Sequence, residues 1–211
     1  MCGRFAFWND KNTIVQHYQL NDAPAFYTGY NVVPSYDIAV VRRRTDGNRE
    51  LANCHWGLIP HWAKDTKLQP ANARADGVSK KPFFRDAFRH RRCLIPANGY
   101  YEWSETNGRK QPWFIRLKDS ELLSFAGICS RRESPDNIIE SCALITTEPN
   151  PYLAKIHDRM PVIIPPDRYD EWLDKGGESM LLPYTGAMEA WPVSTAVNSP
   201  KNQGPELIRP I

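Results

Sequence analysis

Short runs in which apolar and polar residues alternate recur along most of the chain, and they predict more strand than helix. The runs are bounded by Gly, Pro, Asn or Asp, the residues typical of turns. Two of these turns, Asp46-Gly47-Asn48 and Asn107-Gly108, have the composition of hairpin turns. The predicted strands lie at residues 3–8, 36–41, 51–58, 93–95, 100–103, 113–117, 122–128, 142–146 and 190–197.

Helical spacing is confined to three short segments. Residues 10–20 begin with Asp10, a good N-cap, and place Ile14 and Tyr18 on one inner face. In residues 82–90 a proline occupies the first turn, where its missing N–H is not needed, and Phe84 and Phe88 are one turn apart. Residues 166–173 predict a third short helix.

Residues 59–79 follow neither pattern and form the longest predicted loop. Loops of this length are uncommon in compact domains unless they carry function. Together the elements predict an α+β fold, a β-rich single domain whose barrel-like mixed sheet has peripheral helices. We expect this domain to cover residues 1–200, and residues 201–211 to form a surface or flexible tail.

The composition is that of an ordinary globular protein, with 41% hydrophobic and 24% charged residues among 211. No apolar run reaches the ~18 residues of a membrane helix, and the N-terminus lacks the pattern of a secretory signal. The five cysteines are scattered without CxxC spacing, which favours reduced thiols over disulfides or a zinc site. We therefore expect a cytoplasmic protein with no metal and no cofactor.

The distribution of charge is more informative than the net charge of +3. Arg42-Arg43-Arg44 forms one basic cluster, and residues 80–92 form a second, denser one with four arginines, two lysines and a histidine. Such local density attracts phosphates, although charge runs are more often simply solvated surface. The seven tryptophans would suit base stacking where they are exposed, but most aromatic residues lie in the core.

Cys2 gives the N-terminus a distinctive chemistry if Met1 is removed. The chain would then begin with a free α-amine and a free thiol on adjacent carbons, with ordinary pKa values near ~8 and ~8.5. No internal cysteine offers this 1,2-aminothiol. The alternative is that Cys2 is merely the second residue of an ordinary chain.

Four other stretches hold polar residues that have no obvious role in core packing. Asn72 and Arg74 lie in the long loop, where Asn72 could bond its own backbone. Glu102 lies between aromatic residues on a predicted strand, where it could simply face outward. His157 could be a satisfied buried histidine, and Asn31 precedes a predicted strand. None of these positions is diagnostic when taken alone.

The order and spacing of MCGRF, NAR, GYYEW and HDRMP resemble the SRAP family, the SOS response-associated peptidases. WGLIPHWAK and the basic KKPFFRDAFRHRRCLIPANG block are similar to the same family, so the resemblance spans about residues 1–200. One departure is Asp76-Gly77, where the family pattern has a glutamate followed by a small polar residue.

The resemblance implies processing of abasic sites in single-stranded DNA. The Cys2 amine would form a Schiff base with the sugar aldehyde, and the thiol would close it to a thiazolidine. The resemblance further implies that Glu102, with a raised pKa, and His157 transfer protons and that Asn72 orients the reactants. It assigns DNA contacts to Arg4, Asn31, Trp62, Arg74, Arg85 and Arg159, with Trp62 as a stacking wedge.

Two other functions stay open at this point. The same residues could form an N-terminal-cysteine peptidase that acts on itself or on other proteins, and an AP-lyase activity is compatible with a Schiff base. A plain nucleic-acid-binding module would use the arginines without Cys2. For the leading function we expect a monomer whose partner is single-stranded DNA containing abasic sites, with no membrane, and which joins the nucleoid when bound to DNA.

Overall fold

The computed structural model describes residues 2–106, 108–134 and 137–211. Over these residues the chain forms twelve strands and three α-helices, in keeping with the α+β prediction. The helices are α1 (Lys11–Tyr18), α2 (Arg85–His90) and α3 (Tyr169–Lys175). The strands are β1 (Phe5–Phe7), β2 (Gly29–Val32), β3 (Asp37–Arg43), β4 (Arg49–Trp56), β5 (Asn72–Arg74), β6 (Arg92–Ala97), β7 (Gly99–Thr106), β8 (Arg109–Leu117), β9 (Leu123–Ser134), β10 (Asn137–Thr147), β11 (Met160–Pro161) and β12 (Met188–Pro192).

The N-terminal strand lies inside a five-stranded antiparallel sheet with the order β12-β8-β7-β1-β2. Phe5 pairs with Tyr100 of β7 on one side and with Val32 of β2 on the other. β7 and β8 form the predicted hairpin, although Asn107 of its turn lies outside the described residues. A terminus held between two strands is fixed in position, as a terminal nucleophile requires.

The second sheet closes into a ring through the pairings β9–β10–β4–β3–β6–β9. This confirms the β-rich, barrel-like mixed sheet, but the sheet is ring-like and not a strict barrel. The closing contact between β4 and β10 is parallel and registers only Ser141 with His55 and Cys142 with Trp56. Further along β10, the short strand β5 pairs in parallel and β11 pairs antiparallel.

Aromatic residues join the two sheets. Phe5 of β1 contacts Trp56 at a ring-centroid distance of 5.1 Å and Phe125 at 6.0 Å, so the N-terminal strand also packs against the ring. Burial of a side chain of this size contributes about 2–3 kcal/mol. The four internal cysteines are buried and free, as the scattered spacing predicted: Cys54, Cys93, Cys129 and Cys142.

The first helix follows its sequence signals closely, whereas the second does not. Asp10 caps α1 by accepting a hydrogen bond from the Thr13 amide at 2.8 Å, and Ile14 is buried. The second helix was predicted from residue 82, but residues 82–84 form turns and α2 begins only at Arg85. In the described part of the chain no helix has both the length and the apolar character needed to cross a bilayer.

The C-terminal segment packs against the five-stranded sheet. The strand predicted at 190–197 ends at Pro192, because Ser194 caps a 3-10 turn by accepting a hydrogen bond from the Ala196 amide. Beyond it, Leu207 is fully buried and the Trp191 indole donates to the Ile208 carbonyl at 2.7 Å. Residues 201–211 therefore cover one face of the domain, and their separation from residues 1–200 stays a prediction.

We expect Gly99→Ala to destabilise the protein by about 1–3 kcal/mol, the usual cost of overpacking. A Cβ at Gly99 would lie 2.3 Å from Cζ of Phe114 and 2.8 Å from the Ile115 carbonyl oxygen. Gly177→Ala is the control, because its Cβ would meet no atom within 4 Å. Urea unfolding measures both. Equal stability of the two variants would contradict the tight packing of β7 on β8.

Candidate active site

The site is built around Cys2, which directly precedes β1 and is fully buried. The Tyr101 amide donates to the Arg4 carbonyl at 2.9 Å, so the β1–β7 pairing continues toward the N-terminus and brings Cys2 near Glu102. Burial raises the pKa of the Cys2 thiol well above its usual value, and the nearby Glu102 carboxylate raises it further. The thiol is therefore protonated at neutral pH, and it needs a base to react. This corrects the value near ~8.5 expected from the sequence.

Glu102 is the group best placed to act as that base. It lies on β7, and only 2% of the residue is exposed. Burial raises the pKa of Glu102 to about 7, as its position between aromatic residues predicted. A carboxyl group with this pKa is populated in both protonation states near neutral pH, so it can both accept and donate a proton.

His157 contacts the same carboxyl group, with 3.5 Å between its Nε2 and Oε2 of Glu102. Its Nδ1 accepts a hydrogen bond from the Arg159 amide at 3.0 Å but also lies 2.9 Å from Oδ1 of Asp158. The backbone bond requires an unprotonated Nδ1, and Asp158 is well hydrated because its side chain is 86% exposed. Burial lowers the pKa of His157, so the neutral ring carries its proton on Nε2, facing Glu102.

Asn72 and Arg74 approach the site on β5, a strand that the sequence did not predict. β5 pairs in parallel with β10, which registers Asn72 with Leu144 and Arg74 with Thr146. Alternation along the strand directs Asn72 and Arg74 to one face and buries Ala73 on the other. Oδ1 of Asn72 is buried and has no hydrogen-bond partner among the described residues.

Two arginines form the entrance beside β5. Arg159 donates through Nη2 to the carbonyl and hydroxyl oxygens of Thr146 at 2.6 and 3.1 Å, while its Nε is buried without a hydrogen-bond partner in the described part of the chain. Burial lowers the pKa of Arg159, and the neighbouring Arg74 lowers it further. Arg74 is exposed and forks onto Asp76 at 2.7 and 3.2 Å. The shorter acidic residue at position 76 therefore still reaches Arg74.

The other predicted DNA contacts lie apart from this cluster. Asn31 is fully buried, and its amide nitrogen donates to carbonyls of the C-terminal segment. Its Oδ1 accepts from Arg4 at 2.8 Å, so any effect of Asn31 on DNA passes through Arg4. Trp62 is 51% exposed and meets Phe83 edge-on, and Arg85 is exposed at the start of α2. The ion pair found for Arg85 is with its neighbour Asp86, at 3.8 Å.

Tyr100 is a residue of the site that sequence reasoning missed. It is fully buried, and its hydroxyl has no hydrogen-bond partner among the described residues. Burial raises the pKa of this hydroxyl, and the adjacent Cys2 and Glu102 groups raise it further, which puts all three groups in one pocket. The alternation in GYYEW was the available signal, because it directs Tyr100 and Glu102 to the same face of β7.

The described residues of this cluster do not form a metal site. Across residues 2–106, 108–134 and 137–211, no group of three or more His, Cys, Asp and Glu side chains is arranged to hold a metal ion. The cluster instead combines the buried Cys2 thiol with a carboxyl group, an imidazole and a phenol. The Asn72 amide and the two arginines lie on or beside β5. Such a set can transfer protons and hold an anionic, oxygen-rich ligand.

Known proteins resemble this chain over most or all of its length. Residues 1–200 match the family model described as SOS response associated peptidase (SRAP). The chain is 40% identical to the abasic site processing protein YoqW of Bacillus subtilis over 99% of both chains. It is 32% identical to the abasic site processing protein YedK of Escherichia coli, over 86% of this chain and 84% of that one. A crystal structure of a protein from Bacteroides thetaiotaomicron matches the whole chain with a TM-score of 0.88 at 26% identity.

The raised pKa of Glu102 predicts a pH-dependent loss of stability. A carboxyl group with a folded pKa of about 7, against an ordinary value of 4.5, stabilises the fold at low pH, and this contribution is lost as pH rises through about 7. Between about pH 5 and about pH 8, wild type should lose roughly 2–3 kcal/mol more than Glu102→Gln, which cannot ionise. Urea unfolding of both proteins at the two pH values measures this difference. Parallel pH profiles would contradict the raised pKa.

Proposed function

We propose that this protein, which belongs to the SRAP family, processes abasic sites by forming a covalent thiazolidine with abasic single-stranded DNA through Cys2. One observation carries the proposal: three separated stretches of the chain bring Cys2, Glu102 and His157 into one cluster, in which Cys2 and Glu102 are buried. The names of the relatives, which are abasic site processing proteins, support the choice of substrate. The crosslink would protect the lesion from strand cleavage.

Cys2 reacts after Met1 has been removed. Its amine adds to the aldehyde of the open sugar, and loss of one water gives a Schiff base. The sulfur then adds to the imine carbon, the nitrogen receives the electron pair of the C=N bond, and the thiol proton leaves through a base. The net reaction joins an aldehyde and an aminothiol into a thiazolidine and releases water. Ring closure is fast because thiol and amine belong to one residue, which gives a high effective molarity.

Glu102 transfers the protons during adduct formation. The Cys2 thiol is protonated at neutral pH because burial raises its pKa, so its proton must be removed as the S–C bond forms. The Glu102 carboxylate lies beside it, and its pKa of about 7 lets it take this proton after having donated one to the leaving water. His157, neutral and in contact with Glu102, serves the later transfers, namely reversal and β-elimination.

Asn72 and Tyr100 orient the sugar. Each has a buried oxygen without a hydrogen-bond partner among the described residues, and a buried polar atom left in that state is costly. The hydroxyl groups of an opened deoxyribose would satisfy both. The Tyr100 hydroxyl donates and the Asn72 carbonyl accepts, so the pair recognises a group that does both.

Arg74 and Arg159 hold the phosphates that flank the lesion. Arg159 keeps its Nε free of protein acceptors in the described part of the chain, and Arg74 is paired only with the exposed Asp76. Exposed ion pairs of this kind contribute about 0–1 kcal/mol, so a phosphate can displace Asp76. Arg4 stiffens the N-terminus, Arg85 adds charge, and Trp62 offers an exposed ring for stacking.

A peptidase that acts on its own N-terminus is the second candidate. The family is named for peptidase activity, and Cys2 with Glu102 is a reasonable nucleophile and base. The Met1–Cys2 bond is already next to this thiol, so its cleavage needs no second polypeptide to enter the site. This observation favours a reaction limited to the Met1–Cys2 bond over cleavage of other proteins.

Cys2→Ala should abolish the stable adduct with abasic single-stranded DNA, with a yield at least about a hundredfold lower, because the thiol and its effective molarity are lost. Cys2→Ser should keep the amine and hence a Schiff base that borohydride traps. Denaturing gels and intact mass measure both products. Cys142→Ala, which removes another buried thiol, is the control and should react normally. A normal adduct yield from Cys2→Ala would exclude Cys2 as the nucleophile.

Arg74→Ala should weaken noncovalent binding to single-stranded DNA and lower the slope of log affinity against log salt by about 0.7, the value for one lost phosphate contact. Arg168→Ala is a matched control, because Arg168 is also exposed and forks onto one carboxylate, Glu171. Fluorescence anisotropy across a salt series measures the slopes. If the two variants have the same slope, Arg74 does not contact a phosphate.

A further inference from the structure

The two basic clusters of the sequence meet in one groove on the ring sheet. Arg42 lies at the end of β3 and Arg44 just after it, while His90 ends α2 and Arg91 follows it. All four residues line a cavity of about 580 Å³. Arg131 of β9 completes the wall. The two basic clusters, which lie far apart in the sequence, therefore line the same cavity.

A second cavity of about 760 Å³ adjoins the first and extends the groove along α2. It shares His90, Arg91 and Arg131 with the first cavity. Its far side is lined by His61, the neighbour of the exposed Trp62. The groove therefore leads from Arg44 along α2 to the aromatic residue already proposed to stack on DNA bases.

The arginines of the groove differ in the strength of their ion pairs. Arg42 is fixed by Glu50 at 2.8 Å and by Glu140. Arg44 contacts Asp46 at 3.2 Å in an exposed pair, which contributes little. Arg91 is exposed and makes no ion pair within the described residues. Arg44 and Arg91 can therefore bind an anionic ligand without breaking a strong ion pair.

The groove lies well away from Cys2. Glu140 lines the groove and Thr146 contacts Arg159 at the active site, and six positions of β10 separate them. At ~3.3 Å per residue this is roughly 20 Å. A DNA strand of several nucleotides would be needed to bridge the two places.

We infer that this groove is a second phosphate-binding site, which holds the sugar-phosphate backbone of the DNA strand that continues from the lesion at Cys2. The inference extends the proposed function and rests on it. Guanidinium groups match phosphate oxygens through paired N–H donors, and a groove with several such groups binds a backbone without reading its sequence. Binding here would lengthen the footprint on single-stranded DNA and leave the chemistry at Cys2 unchanged.

The test compares oligothymidylates of about 20 and about three nucleotides, since only the longer one can occupy both places at once. The double variant Arg44→Gln/Arg91→Gln should bind the longer one about tenfold more weakly, with a salt slope lower by about 1.4, the value for two lost contacts. Its loss of affinity for the shorter one should be smaller, because that strand cannot bridge the two places. It should also crosslink a five-nucleotide abasic oligomer at the wild-type rate.

Arg109→Gln/Lys110→Gln is the matched control, because it removes the same charge from an exposed site at the start of β8. Arg44→Lys/Arg91→Lys keeps the charge and should retain most of the salt slope, which separates charge loss from misfolding. Undamaged DNA is the ligand, so the result does not depend on whether Cys2 forms an adduct. Equal affinity of the Gln variant and the control for the longer strand would overturn the inference, and the groove would then suit an acidic protein segment.

Discussion

The pairing of β1 with β7 is the interaction on which the candidate site depends. It fixes Phe5 opposite Tyr100. Because Glu102 lies on the same strand as Tyr100, this pairing also sets the distance between Cys2 and Glu102. A terminal residue would otherwise be the most mobile part of the chain. The same short strand packs Phe5 against Trp56 and Phe125 of the ring, so the nucleophile is held by the core of the protein. Reactivity at Cys2 is in this sense a property of the whole fold.

Burial is what gives the site its chemistry, and it also has a cost. Removing Glu102 from water raises its pKa to about 7, which disfavours the ionised form by several times the thermal energy. The same desolvation keeps the Cys2 thiol protonated until a base is engaged. The dense packing of two sheets offsets this cost, since a few buried aromatic side chains contribute as much as the ionisation removes. An exposed cysteine and glutamate would destabilise the fold less, but their pKa values would not suit proton transfer near neutral pH.

The features that local chemistry decides were the ones that sequence could predict. Asp10 begins α1 because its carboxylate satisfies a free amide, and this bond forms within four residues. The strand β5 depends instead on the edge that β10 offers, and nothing in Asn72-Ala73-Arg74 marks it as a strand without that neighbour. Tyr100 was missed for a similar reason, because its neighbours Cys2 and Glu102 come together only through pairing. Asn31 was expected to contact DNA, but its side chain is buried because the C-terminal segment packs over it.

The balance of charge around the site fits a protein that searches weakly and captures covalently. Several of its surface arginines are paired with carboxylates, as Arg74 is with Asp76, and such pairs lose little when a phosphate replaces the carboxylate. Each contact with DNA therefore adds a small free energy, and affinity builds through the number of phosphates engaged. Tight noncovalent binding would hold the protein on undamaged strands. In the proposed function, ring closure at Cys2 requires an aldehyde, so the complex would persist only where a base is missing.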